Sequence, residues 1–208
     1  MKYDFLRKLS LNYKGETYGS KKIKKEETLL IAIDFQEKLM PVINEKEALE
    51  AAMVKLVKGC RVMDVPILVT QQYTKGLGAT IPSIDTALTE EIAGKKAMYE
   101  PFEKTSFSAM RQADFVAEVK KQERKTILMT GIESHICVEQ TVIDLLDNGY
   151  NVFVVGDCIS SRKAMDKEYA QLRMIAAGAV FTSMESILFE LCGGAKEPGF
   201  KEISAIIK

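Results

Sequence analysis

Short runs in which every residue is apolar alternate along this chain with longer stretches whose apolar residues recur every three or four positions. The first pattern predicts strands buried on both faces, and the second predicts helices that bury one stripe. Strands are expected over 28–34, 65–71, 96–99, 125–131, 151–157 and 179–182. Helices are expected over 46–63, 108–121, from the turn after 131 to 148, 166–177 and 183–191. Leu49, Met53, Leu56, Val57 and Cys60 mark the buried stripe of the first helix. The segment 76–87, with its glycines, Pro82 and Ser83, reads as a loop holding at most a short helix. Strands alternating with helices imply an α/β fold, a doubly wound three-layer αβα sandwich around a six-stranded, mostly parallel sheet. Ligands bind such sheets beyond the carboxyl ends of the strands, near the topological switch point. That directs attention to Asp34, Gln71, the segment 100–104, the segment 131–137 and Asp157.

Composition narrows the classes of function. The 208 residues fit one domain, and 29 Lys+Arg balance 29 Asp+Glu to a net charge of zero. No basic excess is available to hold a phosphate backbone, so no nucleic-acid partner is expected. No apolar run approaches the ~20 residues that cross a bilayer, so no membrane partner is expected either. Residues 1–27 are polar and lysine-rich and read as an N-terminal extension outside the sheet, preceding a domain over 28–208. They lack the apolar core of a signal peptide, which implies a cytoplasmic protein. The cysteines, Cys60, Cys137, Cys158 and Cys192, are too scattered for a disulfide framework or a zinc site. The one histidine, His135, lies two positions before Cys137 and does not face it, and no second histidine exists, so neither a Ser-His-Asp nor a papain-like triad is expected.

Several strand-end residues carry candidate chemistry. Asp34 follows an apolar strand; it is either a solvated cap or a carboxylate whose desolvation makes it a better base. Cys137 lies in a strand-to-helix turn, where a helix N-terminus favours thiolate; the alternative is a small core residue. Lys104 is either a solvated loop lysine or an ammonium desolvated among Pro101, Phe102 and Phe107. His135 precedes Cys137 by two positions, which do not face each other on a helix, so it reads as a pocket wall or a cap. Asp157 and Glu100 are weaker candidates, and Asp157 is expected first to hold backbone amides in the GDCISSR turn. Cys60 and Cys192 fall on apolar helix faces and read as core.

Three separated stretches, IAIDFQ (Asp34, Gln36), KTSFSA (from Lys104) and GIESHICVEQT (with Cys137), together resemble the isochorismatase-like cysteine hydrolase superfamily. The likeness covers Thr28 to about Glu190. GIES, DCISSR and PGFKEISAIIK are similar to the isochorismatase domain-containing proteins within it. The resemblance reinforces the fold and goes with a strand order of 3-2-1-4-5-6. It implies catalytic roles for Asp34, Lys104 and Cys137. It also implies a cis peptide at Ile132–Glu133 that aims the amides of Glu133 and Cys137 as an oxyanion hole. The stretch TQQYTKGLG lacks the histidine of the zinc-bearing nicotinamidases, so no metal and no cofactor are expected.

The implied activity is metal-independent hydrolysis of a small amide, carbamoyl or related carbonyl compound through a thioester. One alternative is a thiol-based sensor or interaction protein on a hydrolase scaffold; another is a vinyl-ether hydrolase of the isochorismatase type. Phe35, Leu39, Tyr73, Phe107, Ile132 and His135 are expected to wall the substrate pocket, being near strand ends beside the three site residues. A homo-oligomer is expected, with an amphipathic C-terminal helix (Phe200, Ile203, Ile206, Ile207) available to cover the core or a neighbour.

Overall fold

The computed structural model describes residues 22–208. Its strands are β1 (Thr28–Ile33), β2 (Ile67–Gln72), β3 (Phe102–Lys104), β4 (Thr126–Ile132), β5 (Asn151–Ser160) and β6 (Val180–Thr182). Its α-helices are α1 (Lys46–Val62), α2 (Thr74–Leu77), α3 (Pro82–Thr89), α4 (Ala113–Lys121), α5 (Glu139–Asp147), α6 (Ala164–Ala177), α7 (Met184–Cys192) and α8 (Phe200–Ile207). The six strands form one sheet in the order 3-2-1-4-5-6, and every pairing is parallel. The fold is thus the doubly wound α/β sandwich that the hydrophobic pattern implies.

Every residue of β1 and β4 is buried, because helices cover both faces of the sheet. Alternation splits the strand residues between two cores. Leu30, Ala32 and Leu128 face α1, α3, α7 and α8. Leu29, Ile31, Ile33, Ile127 and Met129 face α4, α5 and α6. Strands β1 and β4 pair through Ile33 and Gly131, so the chain segments that leave them diverge side by side at the switch point.

Two expected strand bounds are corrected, and the expected loop is refined. The third strand is Phe102–Lys104, not 96–99; Met98 is 94% exposed, and the sheet edge is instead reached after Pro101. The segment 76–87 holds most of α3, with Pro82 in its first turn, where the missing N–H costs no helix bond. Strand β5 runs to Ser160 because it bulges: Met129 aligns with Val154, but Gly131 aligns with Ile159. Most of the expected N-terminal extension, residues 1–21, lies outside the described residues. Of the remainder, Ile23 packs into the core against the helices and donates its amide to Glu190 (3.1 Å).

Gly131 is the glycine that the topology requires. Its φ is 148°, and an added Cβ would fall 2.5 Å from Ile33 Cβ and 2.8 Å from the Ile33 carbonyl oxygen. Backbone cannot yield as a flexible side chain can. Gly131→Ala is therefore expected to lower stability by about 2–4 kcal/mol, read as a fall in the denaturation midpoint.

Candidate active site

Asp34 leaves β1 with a left-handed backbone (φ 57°) and is 1% exposed. A carboxylate so deeply buried must be compensated. Thr70 Oγ1 donates to its Oδ1 at 2.7 Å, and Lys104 Nζ donates to its Oδ2 at 2.6 Å. Lys104 is equally buried and fully engaged: its ammonium also donates to Gln72 Oε1 (2.7 Å) and reaches the carbonyls of Phe107 (3.3 Å) and Ser106 (3.4 Å). Gln36 sews the assembly together, accepting from the Gln72 amide and donating to the carbonyls of Gln72 and Gly78.

Cys137 sits in a π-helical turn, Ser134–Val138, directly after β4. Its buried thiol lies near enough to the Asp34 carboxylate and the Lys104 ammonium for both charges to act on it. Thr141 joins this turn to the Lys104 loop: its hydroxyl donates to the Cys137 carbonyl (2.7 Å) and accepts from the Ala109 amide (3.0 Å). Ser108 adds a 2.6 Å bond to Asp144. The Ser-Ala of KTSFSA and the threonine of GIESHICVEQT are therefore the joint between two segments that meet at the site.

The thiol is not the depressed one expected at a helix N-terminus. Burial pushes the Cys137 pKa up to about 12, the Asp34 charge adds to this, and Lys104 offsets part of it. At neutral pH the group is a protonated thiol beside a carboxylate. Its alkylation by iodoacetamide should rise steadily from pH 7 to 10 without the plateau of an acidic thiol. Burial also raises Cys60 to about 12 and Cys158 well above the usual value near 9.0. The folded state then holds more protons than the unfolded state above pH 9. Stability should fall as pH rises from about 9 towards 12, read as a decreasing urea midpoint.

The expected cis peptide is a correction. No cis bond occurs among the described residues, and Ile132–Glu133 is trans. The chain reverses through the left-handed backbone of Glu133 (φ 53°, ψ 61°), which turns its carbonyl towards the amides of Ile136 (2.9 Å) and Cys137 (3.1 Å). The Cys137 amide is thereby engaged inside the turn, so the expected oxyanion pair of Glu133 and Cys137 is not arrayed around an open point here.

The expected pocket walls divide. Phe35 and Ile132 are core residues, 1% and 0% exposed. Leu39 packs partly buried against the same core. Tyr73 and Phe107 leave about half their surface in water. Tyr73 also takes a left-handed backbone (φ 40°), and its ring lies over Gly76, where a Cβ would fall 2.2 Å from it. His135 is partly buried, with Nδ1 3.0 Å from Ser161 Oγ and 3.5 Å from Glu133 Oε2, and Nε2 3.8 Å from Asp166 Oδ2.

Pattern reading missed Thr70, Gln72 and Arg162. Arg162 Nε lies 2.6 Å from Glu133 Oε1, so the GIES and CISSR stretches touch. Asp157 accepts from the amide of Met184 at the start of α7 (2.8 Å), a partner outside the expected GDCISSR turn.

Residues 28–186 match the isochorismatase domain family. The chain belongs to that family. Isochorismatase domain-containing protein 1 of Salmo salar is 35% identical over 181 residues, 87% of this chain and 61% of the salmon protein. This chain thus spans less than two thirds of that relative's length. Among solved structures, the MAR1 ribonuclease of Caenorhabditis elegans aligns with a TM-score of 0.81 at 34% identity, covering 90% of this chain and 92% of the nematode chain. The YcaC gene product of Escherichia coli, described as an octameric hydrolase of unknown specificity, aligns with a TM-score of 0.77 over 87% of this chain and 86% of that one. At 19% identity that likeness is one of fold. Isochorismatase-family membership supports a hydrolase. Among the described residues no helix is long and apolar enough to cross a membrane.

Proposed function

We propose that this isochorismatase-family chain is a cysteine hydrolase of small amide, carbamoyl or related carbonyl compounds, with Cys137, Asp34 and Lys104 as its catalytic residues. The observation that carries the reading is a buried thiol beside a buried carboxylate that accepts a 2.6 Å hydrogen bond from a lysine. Asp34 takes the proton from the Cys137 thiol as sulfur bonds to the substrate carbonyl carbon. Asp34 then returns that proton to the leaving nitrogen as the carbon–nitrogen bond breaks, which leaves a thioester. Water attacks the thioester as Asp34 accepts its proton; the carbon–sulfur bond then breaks, Asp34 passes the proton to sulfur, and the acid product leaves the free thiol behind. Lys104 holds the carboxylate in place through its 2.6 Å hydrogen bond. The scheme needs no cofactor.

A protonated, buried thiol argues against a redox sensor, whose cysteine is typically exposed and thiolate in character. The test is mass spectrometry of the intact protein with an amide and ureide panel. A mass increment on Cys137 that appears and then turns over supports the hydrolase; stable oxidation with no adduct refutes it. The nematode relative is described as a ribonuclease. With zero net charge, this chain is expected to leave single-stranded RNA intact over hours at neutral pH, and multiple-turnover cleavage lost in Cys137→Ala would reassign the substrate. The octameric E. coli neighbour supports a homo-oligomer, which we place with the small-molecule substrate as the partners of this chain.

A further inference from the structure

Glu133 caps and Ser134 begins the turn that carries Cys137, and the Glu133 carbonyl accepts from the Cys137 amide at 3.1 Å. The Glu133 side chain is only 10% exposed, and Ser134 is fully buried. Arg162 Nε takes one carboxylate oxygen of Glu133, Oε1, at 2.6 Å. The other oxygen, Oε2, and the Ser134 hydroxyl form no hydrogen bond with any described residue. His135 Nδ1 stands 3.5 Å from Oε2 without a hydrogen bond to it and lies 3.0 Å from Ser161 Oγ. Buried oxygens left without a partner are costly, a carboxylate oxygen most of all. Glu133 also keeps a left-handed backbone (φ 53°), a strained conformation that clusters at ligand sites. Two unpaired oxygens on consecutive residues point to a ligand at the head of the Cys137 turn, rather than at the half-exposed outer face of Arg162.

We propose that Glu133 is a specificity-determining residue of this site, whose Oε2 accepts an N–H from the group that Cys137 attacks. The inference rests on the catalytic reading above for the role of Cys137, and it narrows the substrates. Those that keep a hydrogen on the nitrogen of the carbonyl group, amides and carbamoyl compounds alike, are accepted. Esters and N,N-dialkyl amides are rejected, because they set a second acceptor or a methyl group against Oε2 and leave it unpaired. A carboxylate offers acceptors only, so an N–H, not a carbonyl oxygen, is its complement. A site built to hydrogen-bond a substrate group discriminates against the analogue lacking it more sharply than an apolar pocket can. Arg162 fixes the carboxylate through Oε1 and so leaves Oε2 as the oxygen for the substrate.

The test uses two alkylating probes of the same shape, N-methyl iodoacetamide and methyl iodoacetate, which differ by an N–H against an oxygen. With either, the Cys137 sulfur bonds to the CH2 carbon, iodide leaves, and the thiol proton passes to solvent. The rate of Cys137 modification in the full chain is read by mass spectrometry of its peptide. Dividing each rate by that of free glutathione removes the intrinsic difference between the probes. Wild-type Cys137 should then favour the amide probe by about 10-fold or more, the scale of one hydrogen bond to a charged group. Glu133→Gln, which keeps the shape but offers an amide in place of the carboxylate, should bring that preference close to unity. A wild-type chain with no preference, or a preference that survives Glu133→Gln, would overturn the proposal. The wild-type ratio decides the matter even if the variant folds poorly. Turnover plays no part in this readout. A chain that shows the preference yet hydrolyses no amide would keep the recognition and refute the catalytic reading, and hydrolysis without the preference would do the reverse.

Discussion

Cys137→Ala is expected to abolish amide turnover, a loss of about 10⁴-fold or more, while leaving the fold intact. Removing a covalent nucleophile deletes the thioester route itself, so the residual rate approaches that of binding without chemistry. The small side chain at 6% exposure is replaced by one slightly smaller, and a minor cavity is the only packing consequence. The measurement is steady-state hydrolysis of the best compound from the amide panel, with circular dichroism as the folding control. Activity largely retained in Cys137→Ala would favour vinyl-ether or other thiol-independent chemistry at the same site.

The second large effect is on stability. Lys104→Met or Asp34→Asn alone should each cost about 3–5 kcal/mol, because each strands the other member of a pair whose side chains are 0% and 1% exposed. The double variant should recover most of that loss, since neither buried charge remains, yet stay inactive. Urea denaturation of the wild type, both singles and the double forms the cycle. Additive losses would mean that the 2.6 Å contact carries no coupling and that the site is less dry than the geometry implies. Recovery of stability without recovery of turnover would separate the electrostatic role of the pair from its catalytic one.

The elements that pattern reading located well are those with both faces buried. Strands β1 and β4 announce themselves because every residue must be apolar or small and hydrogen-bonded. The third strand was not legible: a three-residue edge strand after a proline offers little alternation, whereas the neighbouring Met98 looks apolar but stands in solvent. The segment 76–87 was legible as a loop with a short helix, which Pro82 opens. At the site, the spacing of the three motifs identified the residues that converge. Local periodicity has no means of pairing Arg162 with Glu133 or Thr70 with Asp34, because those contacts join loops and strands far apart in the chain. The trans Ile132–Glu133 bond shows the complementary failure: a family feature carried onto a segment whose own left-handed residue makes the reversal.

Tyr73 exposes a conflict between two kinds of selection. An aromatic residue with half its surface in water and a left-handed backbone carries strain of about 1–2 kcal/mol that glycine or asparagine would relieve. A library randomised at this position and sorted for heat tolerance alone should discard the tyrosine. The same library sorted for turnover should keep it if the ring at the strand end touches the substrate. The difference between the two sorted populations would report what the ring is for, whatever compound it meets.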